Sequence, residues 1–302
     1  MPESSSVLEF DTLPSLPREL LRAALTSRPR RPGEVPRLEA RMRRLRVEPR
    51  ALARYRAVVG LPAEGGLPLT YPQVLATPLH LAVLNHPAFP YRLLGMIHVR
   101  NRIQQWRPLE EGAEFSVRVW VEGQREVRQG RELDVHTHVE EDGRPAWSAI
   151  TTMLRRLPGT AERAQEARRP PGEDPDEEAR FAGGRVESWE VPEDTGRRYA
   201  GASGDFNPIH LHALSARPFG FTRAIAHGMW TVGRCVAALG EAARAPACIL
   251  TSEFRRPLLL PAHVRFQAAP LAAGGTAYRV RGEDPTLHVQ GELLPGTGTP
   301  AP

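Results

Sequence analysis

The chain has 302 residues, of which 41% are hydrophobic and 25% are charged. This length allows about two domains of about 150 residues each, with the composition of an ordinary globular protein. The apolar runs are too short to span a bilayer, and residues 1–10 lack the basic start and apolar stretch of a secretory signal. No membrane association is therefore expected. Only two cysteines occur, too few for a disulfide framework, which favours a cytoplasmic location.

The positive charge of the chain is carried by arginine alone. The net charge is +5 and the sequence contains no lysine. The arginines are interspersed with acidic residues rather than gathered in one stripe, so nucleic acid is not expected as a partner. The net positive charge is better explained by a small anionic ligand, such as a phosphate-bearing carrier.

Four segments follow from the distribution of apolar residues and helix breakers. Residues 158–183 contain few large apolar side chains and several prolines, which predicts a linker. A Pro- and Arg-rich leader is predicted at 1–46, packed on the outside, with a short helix around 20–25. The two predicted domains are 47–157 and 184–296.

The two domains have matching landmarks. Tyr55 and Gly60 have the same spacing as Tyr199 and Gly204, and each pair is followed by a helical apolar pattern, at 74–84 and 229–239. The tripeptide Arg-Pro-Leu follows at 107–109 and again at 256–258, each time before an alternating stretch. A repeat of about 140 residues is too long for a solenoid, so it predicts a duplicated domain.

Strict alternation of apolar and polar residues predicts antiparallel strands. It occurs at 133–139 and 278–281, and in the stretches 115–120 and 263–266 that follow Arg-Pro-Leu. Because a helix precedes several strands in each half, the fold class is predicted as α+β, with a sheet wrapped around a helix. In the first of these strands His136 and His138 share one face with Asp134 and Glu140. A metal site is conceivable there, but a polar outer face is favoured.

The segment 199–210 carries the clearest chemical signal. Asp205 and His210 lie five residues apart, and Pro208 disfavours helix at Asn207, so the chain turns between them. A carboxylate beside an imidazole is suited to proton transfer near neutral pH. Ser203, Gly204 and Asn207 are small or polar and are predicted to contact the ligand.

A second signal is His227-Gly228, directly before the apolar helix at 229–239. The N–H of Gly228 would lie at the positive end of the helix dipole, where it can polarise a carbonyl that gains enolate character. His227 contacts the ligand or caps the helix, and both interpretations stay open. Gly228 has the alternative of being a backbone requirement only.

The strings SGDFNPIH, RAIAHGMW and FRRPLLLP, within 184–294, resemble the MaoC-type, R-specific enoyl-CoA hydratases of the hot-dog superfamily. The resemblance implies that Asp205 and His210 activate water for addition to the β carbon of an enoyl thioester and handle the α proton. It implies that the Gly228 N–H binds the thioester oxygen, and that the substrate carrier is coenzyme A or acyl carrier protein. No cofactor and no metal are expected.

The first half lacks this motif. Its counterpart, residues 61–66, reads LPAEGG, with neither Asp nor His. The whole chain thus resembles the two-hot-dog members of the family, a pseudo-dimer with one active site in which the degenerate half leaves room for a longer acyl group. Two alternatives remain, a hot-dog thioesterase and a non-catalytic acyl-thioester binding subunit. Arg255 and Arg256 either reach carrier phosphates or are solvated, and a homodimer is possible.

Overall fold

The computed structural model describes residues 6–25, 33–93, 95–156 and 175–298. The helices are α1 (Leu16–Leu25), α2 (Pro49–Val59), α3 (Tyr71–Leu75), α4 (Thr77–Leu84), α5 (Pro175–Phe181), α6 (Thr195–Ser203), α7 (Ala213–Ala216) and α8 (Gly228–Leu239). The strands are β1 (Ser6–Phe10), β2 (Leu38–Arg46), β3 (Met96–Gln105), β4 (Glu114–Val127), β5 (Gly130–Glu141), β6 (Arg144–Arg156), β7 (Arg185–Val191), β8 (Cys248–Phe254), β9 (Ala262–Pro270), β10 (Thr276–Gly282) and β11 (Leu287–Pro295). No helix among these residues is both long and apolar enough to cross a membrane.

All the strands of the described chain form one sheet, in the order β1-β2-β4-β5-β6-β3-β8-β11-β10-β9-β7. From the centre outward, each half repeats the same order, with β2, β4, β5, β6 and β3 matching β7, β9, β10, β11 and β8. The halves meet where β3 pairs antiparallel with β8, with Arg102 opposite Thr251. This mirrored order confirms the predicted α+β double hot-dog architecture and accounts for the internal sequence repeat.

Helix α2 of the first half packs against α6 and α8 of the second half. Tyr55 of α2 and Tyr199 of α6 are both buried, with ring centroids 6.2 Å apart. The indole N–H of Trp230 on α8 donates to the carbonyl oxygen of Val58 on α2 at 2.9 Å. The Tyr55 hydroxyl likewise lies 2.6 Å from Thr70 Oγ1, so the polar groups of Tyr55 and Trp230 are buried with hydrogen-bond partners.

The predicted leader at 1–46 is wrong as an outside segment, because β2 is a strand of the single sheet, in the part formed by the first half. It pairs with β4, and its Leu38 and Ala40 are fully buried. The arginines of β2 obscure the alternation of apolar and polar residues that would predict a strand. The charged residue Glu39 is also buried, in an ion pair with Arg118. The short helix predicted around 20–25 is present as the end of α1.

The predicted linker at 158–183 lies partly outside the described residues, since 157–174 are not among them. Its last part is helix α5, whose Phe181 is buried against the sheet. Glu178 on this helix bonds both terminal nitrogens of the buried Arg279, at 3.0 and 2.9 Å. Residues 175–181 are therefore part of the second domain's packing rather than of a linker.

Candidate active site

The turn that carries the motif begins where α6 ends. Gly204 follows Ser203 in the left-handed conformation, at φ 76°, and its N–H donates to the carbonyl oxygen of Ala200 at 2.8 Å. Glycine adopts this conformation without steric cost, which is why it commonly ends helices. The chain then leaves the helix abruptly and enters the Asp205–His210 segment.

Short side-chain to backbone bonds fix the conformation of this segment. The Asp205 N–H donates to Ser203 Oγ at 3.2 Å, and the Asn207 N–H donates to Asp205 Oδ1 at 3.2 Å. Asn207 Oδ1 in turn accepts from the Ile209 N–H at 3.4 Å, which starts a 3₁₀ turn at Pro208–His210. Asx turns of this kind orient a carboxylate without help from distant residues.

His210 is held by the segment that leads into α8. Its Nδ1 lies 2.8 Å from the carbonyl oxygen of Ile225, and the Ile225 N–H donates to the carbonyl oxygen of Ile209 at 3.0 Å. Since a carbonyl only accepts, Nδ1 carries the proton and Nε2 keeps its lone pair. His210 thus presents a basic nitrogen at Nε2.

His227 joins this pair. Its ring stacks on that of His210 with centroids 3.6 Å apart, and its Nε2 donates to the backbone carbonyl of Asp205 at 2.9 Å. The same nitrogen is 3.8 Å from Asp205 Oδ2. The contacts of His227 are thus with the turn, and its buried Nδ1 has no partner among the described residues.

Protonation states follow from burial and these contacts. Burial lowers the pKa of His210 more than Asp205 raises it, so the imidazole is neutral near pH 7. Burial also lowers the pKa of His227, to about 3. Partial removal of the Asp205 carboxyl from bulk water would by itself raise its pKa, but the two imidazoles and the Asn207 N–H outweigh this effect and hold the pKa below its usual range. The pair is therefore a carboxylate and a neutral imidazole.

Gly228 is the first residue of α8, with His227 as the N-cap residue in extended conformation. The N–H of the first helical residue has no partner inside the helix and lies at the positive end of the dipole. A Cβ on Gly228 would lie 2.6 Å from Cε1 of Phe254, so only glycine fits beneath this ring. The position of Gly228 at the start of α8 supports its N–H as an oxyanion donor. The contact with Phe254 is a separate, steric reason for glycine at this position.

These residues line a cavity of about 2120 Å³ that both halves enclose. The second half contributes Asp205, His210, His227 and Gly228 to its wall. The first half contributes an apolar surface that includes Val74, Leu81, Leu84, Met96, Val135, Met153 and Leu154. The Asp205 side chain is 45% exposed, and that exposure faces the cavity, so a ligand can reach it.

The structure distinguishes among the predicted ligand contacts. Ser203, Asn207 and His227 line the cavity, although each is also engaged in holding the turn. Gly204 is not among the residues that line the cavity, so a contact between Gly204 and a ligand stays a prediction. Its α-carbon faces Leu16 of α1, whose Cδ1 lies 2.1 Å from where a Cβ would be.

His98 of the first half is a cavity residue that was not predicted from the sequence. It lines the same cavity and its ring lies 4.6 Å from that of Phe254. Only the pairing of β3 with β8 brings it there, and no spacing along the chain predicts that contact. The residue pattern at 96–105 does not indicate the orientation of His98 either, because the strand contains a bulge next to this residue.

Two histidine groups bear on metal binding. His136 and His138 pack on Trp120 and Trp106, with centroids 5.0 and 5.8 Å apart, on the face opposite the buried Leu133. In the described chain, only Asp205, His210 and His227 gather donor atoms, within 4.8 Å of one another. Two of their ring nitrogens donate to carbonyls and so hold the turn. That the site acts without metal or cofactor stays a prediction.

Comparison with known proteins agrees with this geometry. The sequence profile of the family described as MaoC like domain matches residues 167–271. A curated relative, 3-hydroxyacyl-thioester dehydratase X of Mycobacterium tuberculosis, is 35% identical over 253 residues, which span 83% of this chain and 88% of the relative.

Solved structures show the same fold. The crystal structure of HtdX from Mycobacterium tuberculosis superposes with a TM-score of 0.71 at 30% identity, covering 85% of this chain and 99% of that one. A MaoC-like dehydratase from Phytophthora capsici superposes at 0.67 with 16% identity, covering 87% and 96%, and supports the fold alone. The chain belongs to the MaoC-like dehydratase family.

Proposed function

We propose that this protein is a hydratase/dehydratase of acyl thioesters. It adds water to a trans-2-enoyl thioester to give a (3R)-3-hydroxyacyl thioester, and it catalyses the reverse elimination. The observation that carries the proposal is the pairing of Asp205 with His210 in one cavity with Gly228, whose N–H lies at the start of α8. The relative named 3-hydroxyacyl-thioester dehydratase X supports the same reaction class.

The protonation states suit this chemistry. Asp205 and the Nε2 lone pair of His210 accept hydrogen bonds from a water molecule and withdraw one proton as its oxygen bonds to the β carbon. The negative charge that develops on the thioester oxygen is stabilised by the Gly228 N–H. The proton held by the pair then goes to the α carbon, so the residues return to their starting state. The thioester itself makes the α carbon acidic.

The cavity supports an extended substrate. Its volume of about 2120 Å³ exceeds the ~300–1,000 Å³ of ordinary ligand sites. The apolar wall from the first half provides room for a long or bulky acyl group. Arg255 and Arg256 also line it, which fits a phosphate-bearing carrier, with coenzyme A favoured over acyl carrier protein. A homodimer and a cytoplasmic location stay predictions from sequence.

The test follows absorbance of the enoyl-thioester band with crotonyl-CoA and a longer enoyl-CoA. We expect loss of this band without release of free thiol. Asp205→Asn and His210→Ala should each lower kcat by about 10²–10⁴-fold, because each removes one proton-transferring group. His212→Ala is the matched control, since His212 is exposed two residues from His210.

The outcomes separate the alternatives. Thiol release in step with loss of the band would indicate a thioesterase instead. Wild-type turnover in both Asp205→Asn and His210→Ala, with unchanged melting temperature, would place the chemistry at other residues. Failure to bind or convert either thioester would leave no support for the proposed reaction.

A further inference from the structure

Strand β3 contains a β-bulge beside the cavity. His98 pairs with Met153 and Arg100 pairs with Thr152, so Val99 is the extra residue. A bulge re-aims the side chains on one side of it. His98 consequently shares the inner face of the sheet with Asn101, although an unbroken strand would place these two on opposite faces. Asn101 pairs with Thr151, two residues from Met153 on the same face.

His98 is a buried hydrogen-bond acceptor without a partner. Its Nε2 is buried and bonds to nothing among the described residues. Burial lowers the pKa of His98 to about 4, so the ring is neutral near pH 7. A hydrogen bond between the ring and the Arg100 backbone raises this pKa, as expected when a ring N–H donates to a carbonyl oxygen. Because Nε2 has no partner within the described chain, the donating nitrogen is Nδ1. Nε2 is left with a lone pair.

A second unpartnered acceptor lies on α3. The Nε2 amide of Gln73 donates to Thr151 Oγ1 at 2.9 Å, which leaves its buried Oε1 without a partner in the described chain. Asn101 Nδ2 also donates to Thr151 Oγ1, at 3.1 Å, which places Gln73 over the inner face that carries His98. Both Gln73 and His98 line the cavity. Buried polar groups in native proteins rarely stay unpaired, so each such group calls for an explanation.

This pair of acceptors is near the reacting end of the cavity. The His98 ring packs on Phe254, and Phe254 lies against the α-carbon of Gly228. His98 and Asp205 line the same cavity. The Phe254 ring thus lies between His98 and Gly228, the proposed donor to the thioester oxygen.

We propose that His98 and Gln73 form a subsite of the first half that selects acyl thioesters carrying a hydroxyl group on the acyl chain, beyond the two carbons that react. A hydroxyl donates the hydrogen bond that these acceptors lack, whereas a plain alkyl chain leaves them buried and unpaired. The inference rests on the proposed function and adds its substrate class.

The experiment compares plain trans-2-enoyl-CoA with a series in which a hydroxyl is moved outward from carbon 4. With the full-length protein, kcat/KM should be higher by about tenfold or more for at least one hydroxylated member than for the plain chain of equal length. His98→Phe should abolish this preference, and His98→Gln, which keeps an acceptor at similar reach, should retain most of it. Gln73→Met should weaken it, and His212→Ala should leave it unchanged. Melting temperatures check that each variant folds.

Three results would overturn the inference. Wild-type protein that hydrates the plain chain with no preference along the series removes the hydroxyl subsite and leaves the proposed function intact. An equal loss on both substrates in His98→Phe would assign His98 to the reaction itself or to the carrier arm. Wild-type protein that converts no member of the series removes the proposed function as well.

Discussion

The protonation states of Asp205 and His210 decide how activity depends on pH. Both act as bases in the hydration direction, so protonation of either abolishes its role. Burial lowers the pKa of His210, and the pKa of Asp205 is also held below its usual range. We therefore expect the acid limb of kcat/KM to have its midpoint below the ordinary pKa of histidine, about 6.5. A pH profile of kcat/KM measures this, and an acid limb with its midpoint above 6.5 would contradict the buried neutral state of His210.

Gly228 allows a second prediction at this scale. Gly228→Ala places a Cβ against the Phe254 ring, at 2.6 Å from Cε1, which forces one of them to move. Displacing the N–H from the thioester oxygen should lower kcat by about 10²-fold. In the double variant Gly228→Ala/Phe254→Leu the smaller side chain makes room, so kcat should recover in part. If the double variant is no more active than Gly228→Ala, contact with Phe254 is not the cause of the loss.

At the scale of elements, the sequence predicts the site better than its surroundings. The turn from Gly204 to His210 is stabilised by bonds between near neighbours, so its shape is encoded locally. The strand alternation at 133–139 and 278–281 is likewise confirmed as β5 and β10. A segment can be predicted from its own sequence where its conformation is stabilised by bonds between residues close together in the chain.

Other elements depend on partners far along the chain. The apolar pattern at 74–84 predicts one helix, but the structure has α3 and α4 with a break at Ala76, since Pro78 lies in the first turn of α4. Strand β2 is polar in sequence and becomes a strand because β4 pairs with it. The position of His98 requires both the bulge in β3 and the pairing of β3 with β8, and neither has a sequence signature.

The contact between α1 and the end of α6 gives a prediction for these elements. Gly204→Ala imposes a left-handed conformation on alanine and also drives a Cβ into Leu16. The left-handed backbone alone should lower the free energy of unfolding by about 1–2 kcal/mol, and the clash with Leu16 should lower it further. Leu16→Ala should remove the clash and leave the conformational cost. Denaturant unfolding of the two single variants and the double variant measures the coupling, and strictly additive effects would show that α1 does not contact Gly204.

At the scale of the whole molecule, the shared sheet makes the halves depend on each other. The first half lacks the Asp-His motif but supplies the apolar wall of the cavity and His98. The second half supplies the proposed catalytic residues, and α2, α6 and α8 pack across the boundary between the halves. The first half therefore contributes to the packing of the second half and to the cavity wall without carrying the motif itself.

This dependence predicts cooperative unfolding. Ile103 is fully buried on β3, where it pairs with Leu250 of β8, so Ile103→Ala removes packing shared by both halves. It should lower stability by about 2–5 kcal/mol, and hydrogen exchange should accelerate equally in β5 and β10, which lie in opposite halves. Ile97→Ala is the control on the same strand, since Ile97 is 37% exposed and should change stability by at most about 0.5 kcal/mol. Faster exchange confined to β5 would mean that the halves unfold independently, despite the continuous sheet.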